Sequence, residues 1–288
     1  MWAIILHGGA KEIEPEEAEA HRRGCLTALI AGRSVLQANG SAVAAVEAAV
    51  RELEDDPTFN AGYGSALNAD GEVEMCSAMM EGENFNVGAV SIIQGVRHPI
   101  SVALAMLNEE PILLAGPGAR RFAAEKRLEL CGKDELIPPE EKKSRKTGSH
   151  DTVGCIALDM SGRLAVGTST GGLDGSPAGR VGDSPQPGCG YYVDNRIGAV
   201  ALSGDGEHIA RKMLAARIMH RLADQGPDAA LEDALQQVAA IGGEAGGIVL
   251  TSDGTFGWRH NSRNFAVALQ AAADEQPRFF TGKQEEVP

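Results

Sequence analysis

The chain has 288 residues, 43% hydrophobic but only 4% aromatic, with 36 glycines and 13 prolines; that is ample for a large core in one big domain or two small ones. Its 26 basic and 40 acidic residues leave a formal charge of −14, which argues against nucleic acid and anionic membranes as partners. Five cysteines without a CxxC pair imply neither a zinc site nor a disulfide framework and fit a reducing compartment, so the cytoplasm is expected.

In chain order, Trp2–Leu6 is a short apolar run with no basic segment ahead of it. It is too short for a signal peptide or a membrane span and reads as a first strand, running on through His7 into Gly8-Gly9-Ala10. Two helices are predicted next, over Glu14–Ala38 and over Ser41–Glu54, the second opened by an N-cap serine. PTFNAGYGSALNADGEVEM (57–75) reads as a glycine-rich loop turning into a hairpin at Asp70-Gly71. A strand (87–93), a helix (98–107), a strand (112–116) and a helix (118–128) follow. The charged stretch EEKKSRKTGS (140–149) lacks apolar period, and a flexible linker is expected over about 138–150.

Beyond it, VGCIALD and LAVGTST read as strands paired through a Ser161-Gly162 turn, and Ala199–Ser203 as another strand. Helices are predicted over Glu207–Ala223 and Asp228–Ile241, then a hairpin turning at Asp253-Gly254, then a last strand at 264–270. Strand pairs separated by helix pairs, in halves split near residue 150, suggest largely antiparallel sheets covered by helices.

Five stretches could carry chemistry. HDTVG (150–154) plants Asp151 and Thr152 where a buried strand begins abruptly; alone, the pair also reads as an ordinary turn. GTSTG (167–171) fits the G-x-S-x-G nucleophile elbow with Ser169 as nucleophile, but the proline- and glycine-crowded segment after it opposes the helix an elbow needs. GPGARR (116–121) lacks the glycines and lysine of a phosphate-binding loop and reads as a helix start. In GRVGDSP (179–185), Arg180 and Asp183 form either a surface ion pair or a zwitterion clamp, the guanidinium taking an α-carboxylate and the carboxylate an α-ammonium. ALSGDGE (201–207) sets a hydroxyl and exposed backbone N–H groups just before a helix, as an oxyanion hole or a plain helix entry.

HDTVG, TSTGG, GRVGDSP and SGDGE, in that order, together with HGGA (7–10) and FNAGYGSAL (59–67), resemble the plant-type asparaginase/isoaspartyl peptidase and glycosylasparaginase family of N-terminal-nucleophile hydrolases. The likeness covers nearly the whole chain. It implies an α/β (α+β) fold: a single-domain four-layer αββα sandwich, two mainly antiparallel sheets between helix layers. It implies self-cleavage between Asp151 and Thr152, giving an α chain (1–151) and a β chain (152–288) that assemble as an (αβ)2 homo-oligomer. Thr152 is then the nucleophile, and the α-amine released by the cut its base. An unperturbed α-amine titrates at about 7.7–8.0, near working pH, whereas an amide nitrogen is no base at all.

By the same resemblance Thr170 tunes the nucleophile, Arg180 binds the substrate α-carboxylate and Asp183 its α-amino group. Ser203 and Gly204 form the oxyanion hole, Gly206 lines the pocket and Asn60 orients the nucleophile. The family usually has threonine where Ser203 stands; the hydroxyl is kept and the methyl lost. The implied substrates are the small molecules L-asparagine and β-aspartyl dipeptides, with no cofactor in the chemistry. A structural sodium ion is implied on the backbone carbonyls of Leu53, Glu54, Asp56, Phe59, Ala61 and Tyr63. Asp151 looks like the glycosylasparaginase branch, whereas TSTGG and the lack of a signal sequence look like the asparaginase side. The alternatives are a glycosylasparaginase cleaving N-glycosylated asparagine, a non-enzymatic amino-acid binder that keeps the clamp but never matures, and a serine hydrolase on Ser169.

Overall fold

A computed structural model describes residues 1–139 and 152–286. The chain runs β1 (Ala3–Lys11), α1 (Ala18–Gln37), α2 (Ala42–Asp55), β2 (Met75–Glu81), β3 (Val87–Ile93), α3 (Pro99–Met106), β4 (Leu113–Ala115) and α4 (Gly116–Glu125). It continues as β5 (Val153–Leu158), β6 (Leu164–Thr170), β7 (Tyr191–Asp194), β8 (Gly198–Gly204), α5 (Gly206–Lys212), α6 (Leu214–Leu222) and α7 (Pro227–Ala239). The last strands are β9 (Ala245–Thr251), β10 (Phe256–His260), β11 (Asn264–Ala271) and β12 (Arg278–Phe280). One eight-stranded sheet has the order β12-β11-β1-β5-β6-β2-β3-β4, and a four-stranded sheet has β10-β9-β8-β7. Every pairing is antiparallel except β3 with β4.

Strand parity builds the four layers. Successive side chains on a strand point to opposite faces. In the large sheet Ile4, Leu6, Val153, Cys155 and Ala165 pack against α1 and α2. Their alternates Ile5, Ile156, Leu158, Leu164 and Val166 face the small sheet, meeting Ala199, Ala201, Ile248 and Leu250. The far face of the small sheet carries Val200, Leu202 and Val249, which bury against Leu214, Ile218, Leu231 and Leu235 of α6 and α7. The expected αββα sandwich is therefore the one observed, with the two-sheet layer at its centre.

Most predicted elements stand, and the departures have local causes. Ser41 caps α2 by accepting the Ala44 N–H at 3.2 Å, and Pro99 opens α3 where its missing N–H costs nothing. Helix α1 starts at Ala18 rather than Glu14. The predicted helix 207–223 is two helices, because Met213 adopts left-handed angles (φ 48°, ψ 53°) and breaks the chain there. Gly71 does turn with φ 77°, but the turn only closes the loop, with Asn68 N–H on Glu72 O; the sheet hairpin is β2–β3, across residues 82–86. Strands β2, β7 and β12 are additional. Of the expected linker, residues 140–150 lie outside the described residues.

Candidate active site

Parity also brings the site together. The β5–β6 register pairs Val153 with Ser169 and Gly154 with Thr168; one step further, Thr152 stands across from Thr170. Both share the face of Ile156 and Val166, toward the small sheet. On β8, Ser203 shares the face of Ala199 and Ala201, toward the large sheet. Three hydroxyl residues from three strands thus converge at one end of the intersheet layer.

Thr152 is 6% exposed. Its backbone N–H donates to Ser203 Oγ at 3.2 Å, and its Oγ1 lies 2.8 Å from Ser184 Oγ. Ser203 Oγ also accepts the Ala10 N–H at 3.0 Å. That contact comes from a break in the β1 register between His7 and Ala10, allowed by Gly9 at φ 109°. With both lone pairs of Ser203 taken by N–H donors, its own O–H is left to act as a donor. Gly204 turns away at φ 140°, and a Cβ there would lie 2.3 Å from Glu244 O.

Beside this set opens a small cleft lined by Thr152, Thr170, Arg180, Asp183, Gly204 and Gly206 among others. Of the sequence-predicted residues, these six meet in one place. Arg180 pairs not with Asp183 but with Glu207: Nε donates to one carboxylate oxygen and Nη2 to the other, each at 2.8 Å. Burial alone lowers the Arg180 pKa, but the hydrogen bonds and charge of Glu207 hold it above its ordinary value. Asp183 is buried with its Oδ2 unpartnered, and burial pushes its pKa up to about 7. Gly206 separates the two: a Cβ on it would sit 2.8 Å from Asp183 Oδ1 and 3.2 Å from Arg180 Nη2.

Other expectations are placed as follows. Thr170 Oγ1 accepts the Gly172 N–H at 3.2 Å. Asn60 reaches the strand exit beyond Thr170: its Nδ2 donates to Gly172 O at 2.7 Å, and its backbone O accepts the Gly171 N–H at 2.8 Å. Asp151 lies outside the described residues. Ser169 is buried on the opposite face of β6, where its hydroxyl donates to Glu54 Oε1 at 2.6 Å, and no helix follows Thr170 directly. Ser169 is therefore no nucleophile elbow, in keeping with the proline- and glycine-crowded segment that follows it. Among the described residues no group of three or more His, Cys, Asp or Glu side chains could hold a metal ion. The carbonyl loop is another matter. Leu53 and Glu54 lie in the last turn of α2, where carbonyls lack intrahelical partners, and Tyr63 N–H folds the loop back onto Glu54 O at 2.7 Å. Each such oxygen keeps a second lone pair, so neutral oxygen donors of this kind fit a hard monovalent cation.

Three neighbours of the site went unassigned in the sequence. Ser184 holds the Thr152 hydroxyl, and its carbonyl accepts Thr168 Oγ1 at 2.8 Å; its place next to Asp183 was the one available signal. Glu207 closes SGDGE, but nothing local in the sequence links it to Arg180. His7 is fully buried, and desolvation lowers its pKa to about 3, so it stays neutral; it packs where a Cβ on Gly154 would come within 2.3 Å.

The asparaginase family profile matches residues 1–146 and 132–278. The chain is 38% identical over 295 residues to the isoaspartyl peptidase/L-asparaginase of Rattus norvegicus, covering 94% of this chain and 88% of that one. It is 37% identical to the Xenopus laevis protein of the same name (95% and 93% covered) and 37% identical to that of Homo sapiens (92% of each).

Proposed function

This chain belongs to the asparaginase family, and from that premise we propose that it cuts its own backbone between Asp151 and Thr152 and then hydrolyses L-asparagine and β-aspartyl dipeptides to release L-aspartate. The observation that carries the reading is the position of Thr152. It heads β5 with its nitrogen against the Ser203 hydroxyl, in the cleft that also holds Arg180 and Asp183. The relatives named above are isoaspartyl peptidases/L-asparaginases, which supports this substrate class over glycosylated asparagine.

In the uncut chain the Thr152 nitrogen is a peptide N–H that donates to Ser203; it cannot take a proton. Cleavage turns it into an amine of roughly neutral pKa, which removes the Thr152 Oγ1 proton as the oxygen attacks the substrate β-carbonyl. The Ser203 O–H, left as a donor, stabilises the developing oxyanion together with Gly204. The amine then protonates the departing ammonia or peptide amine, and water attacks the acyl-enzyme to release aspartate. Arg180 takes the α-carboxylate, Asp183 the α-ammonium, and bare Gly206 leaves room for the α-carbon between them. Thr170 and Ser184 tune and hold the nucleophile, and Asn60 fixes the backbone beyond Thr170.

The two chains, 1–151 and 152–288, remain one domain and pair as (αβ)2 in the cytoplasm; five free cysteines support a reducing compartment. No helix among the described residues is long and apolar enough to cross a membrane. A sodium ion would be held by the carbonyls of Leu53, Glu54, Asp56, Phe59, Ala61 and Tyr63, supplying a fixed positive charge at the C-terminal end of α2. No chemical step passes through it.

A denaturing gel with N-terminal sequencing tests the reading. Two fragments, the smaller beginning at Thr152, with asparaginase activity are expected. A single uncut species that hydrolyses asparagine overturns the mechanism, and an uncut species that only binds aspartate makes the protein an amino-acid binder.

A further inference from the structure

An arginine guanidinium has two edges that can receive a carboxylate: the side edge, Nε with one Nη, and the end edge, made of both Nη atoms. In this chain Glu207 takes the side edge of Arg180, with both contacts at 2.8 Å. The flat face of the guanidinium lies against Gly182, where a Cβ would sit 3.2 Å from Nη1 and Nη2 and 3.3 Å from Cζ. Nη2, which belongs to both edges, and Asp183 Oδ1 approach the same point over Gly206. With Glu207 on the side edge, an amino acid whose α-carbon sits at that point has the end edge left for its carboxylate.

Arg180 is carried on an irregular stretch between β6 and β7, just after Gly179 at φ 81°. A long side chain on such a loop has many rotamers, and ordering it costs binding free energy each time substrate arrives. Glu207 stands on the first turn of α5, its side chain 55% accessible against 17% for Arg180.

We propose that Glu207 is a positioning residue for substrate recognition: it grips Arg180 from the side, so that the end edge is aimed in advance at the α-carboxylate over Gly206. Glu207 is not a stand-in for that carboxylate, since the two use different edges. The proposal deepens the assignment of Arg180 above and rests on it.

The test uses full-length, self-cleaved protein: wild type, E207Q and E207A. Substrates are L-asparagine and L-asparaginamide, which carries a carboxamide in place of the α-carboxylate, and L-aspartate binding is measured by calorimetry. In E207Q the KM for asparagine and the Kd for aspartate rise roughly tenfold while kcat moves by less than about twofold. The preference for asparagine over asparaginamide falls by a similar factor, and E207A goes further. A lower KM in E207Q overturns the proposal by making Glu207 a competitor of the substrate. Equal losses on both substrates, or a loss confined to kcat, overturn it by making the role merely structural. Wild-type protein silent toward asparagine sinks the proposed reaction instead, and the aspartate Kd ratio still decides the grip.

Discussion

The two sides of the cleft are built from different kinds of backbone. On one side, Thr152, Thr170 and Ser203 stand on strands of two facing sheets, at positions dictated by pleat parity and register. On the other, Arg180 and Asp183 stand on the irregular stretch between β6 and β7, which is kept in place by tertiary contacts. Gly179 N–H donates to Glu74 Oε2 at 2.7 Å, and Glu207 holds the Arg180 guanidinium. A strand residue cannot shift without shifting its whole ladder, so these three hydroxyls are held by the sheets. A clamp built there would have to admit and release a ligand, and loop backbone tolerates that adjustment.

The sharpest way to break this division is to remove the strand-borne nucleophile. Thr152→Ala leaves neither hydroxyl nor cut: one band on a denaturing gel and no hydrolysis above background are expected, with the fold and aspartate binding kept. Ser203→Ala comes next. It removes the oxyanion donor and strands two backbone N–H groups, those of Ala10 and Thr152, that the hydroxyl now accepts. A fall of about 10²–10³ in kcat is expected from the lost donor, measured by ammonia release at saturating asparagine; a change confined to KM would contradict the assignment.

The same division decides what could be read from the sequence. Strands β5, β6 and β8 are short runs of apolar and small residues bounded by turn residues, so their existence was legible, but burial along both faces left the facing positions to the structure. Strand β2, MCSAMME, is buried in the same way but carries no β-branched or aromatic residue to mark it as a strand. The break at Met213 carries no glycine or proline to announce it. On the clamp side, Arg180 and Asp183 could be singled out by residue type and spacing, but their partners could not. Glu207 lies twenty-seven residues from Arg180 and meets it only through the packing of α5. Tertiary contact pairs Arg180 with Glu207 and not with Asp183, which spacing within GRVGDSP does not announce.

The clamp gives the next-largest effects. Arg180→Lys keeps the charge but loses the planar fork, so it can neither meet Glu207 side-on nor offer an end edge. A rise of roughly 10- to 100-fold in KM for asparagine, with self-cleavage unaffected, is expected. Asp183 is sharpened by pH. Burial raises its pKa to about 7, so near neutrality part of the population is protonated, and only the carboxylate attracts an α-ammonium. KM for asparagine therefore climbs as the pH falls below about 7 and levels off above it. Asp183→Asn flattens that limb of KM while leaving the separate limb in kcat that belongs to the Thr152 amine; a KM profile unchanged in the variant would remove Asp183 from substrate binding.

The smallest effect is expected from Ser169, the one hydroxyl of the T-S-T run that faces the helices. It donates to buried Glu54, which also accepts the Ile100 N–H at 3.0 Å and whose pKa burial raises to about 8. Ser169→Ala removes one hydrogen bond from a buried acceptor and costs about 1–3 kcal/mol of stability, read from denaturant unfolding, with asparagine hydrolysis within about twofold of wild type. The pH dependence separates the two partners. A carboxyl held neutral in the fold up to about 8, but ionising near 4.5 when unfolded, contributes stability that is fully present below 4.5 and lost as the pH rises toward 8. Glu54→Gln removes that slope, whereas Ser169→Ala keeps it, because burial is the larger cause of the shift. If Ser169→Ala abolished hydrolysis while Thr152→Ala did not, the helix-facing side of β6 would be the reactive one, and the parity that assembles the whole cleft would be wrong.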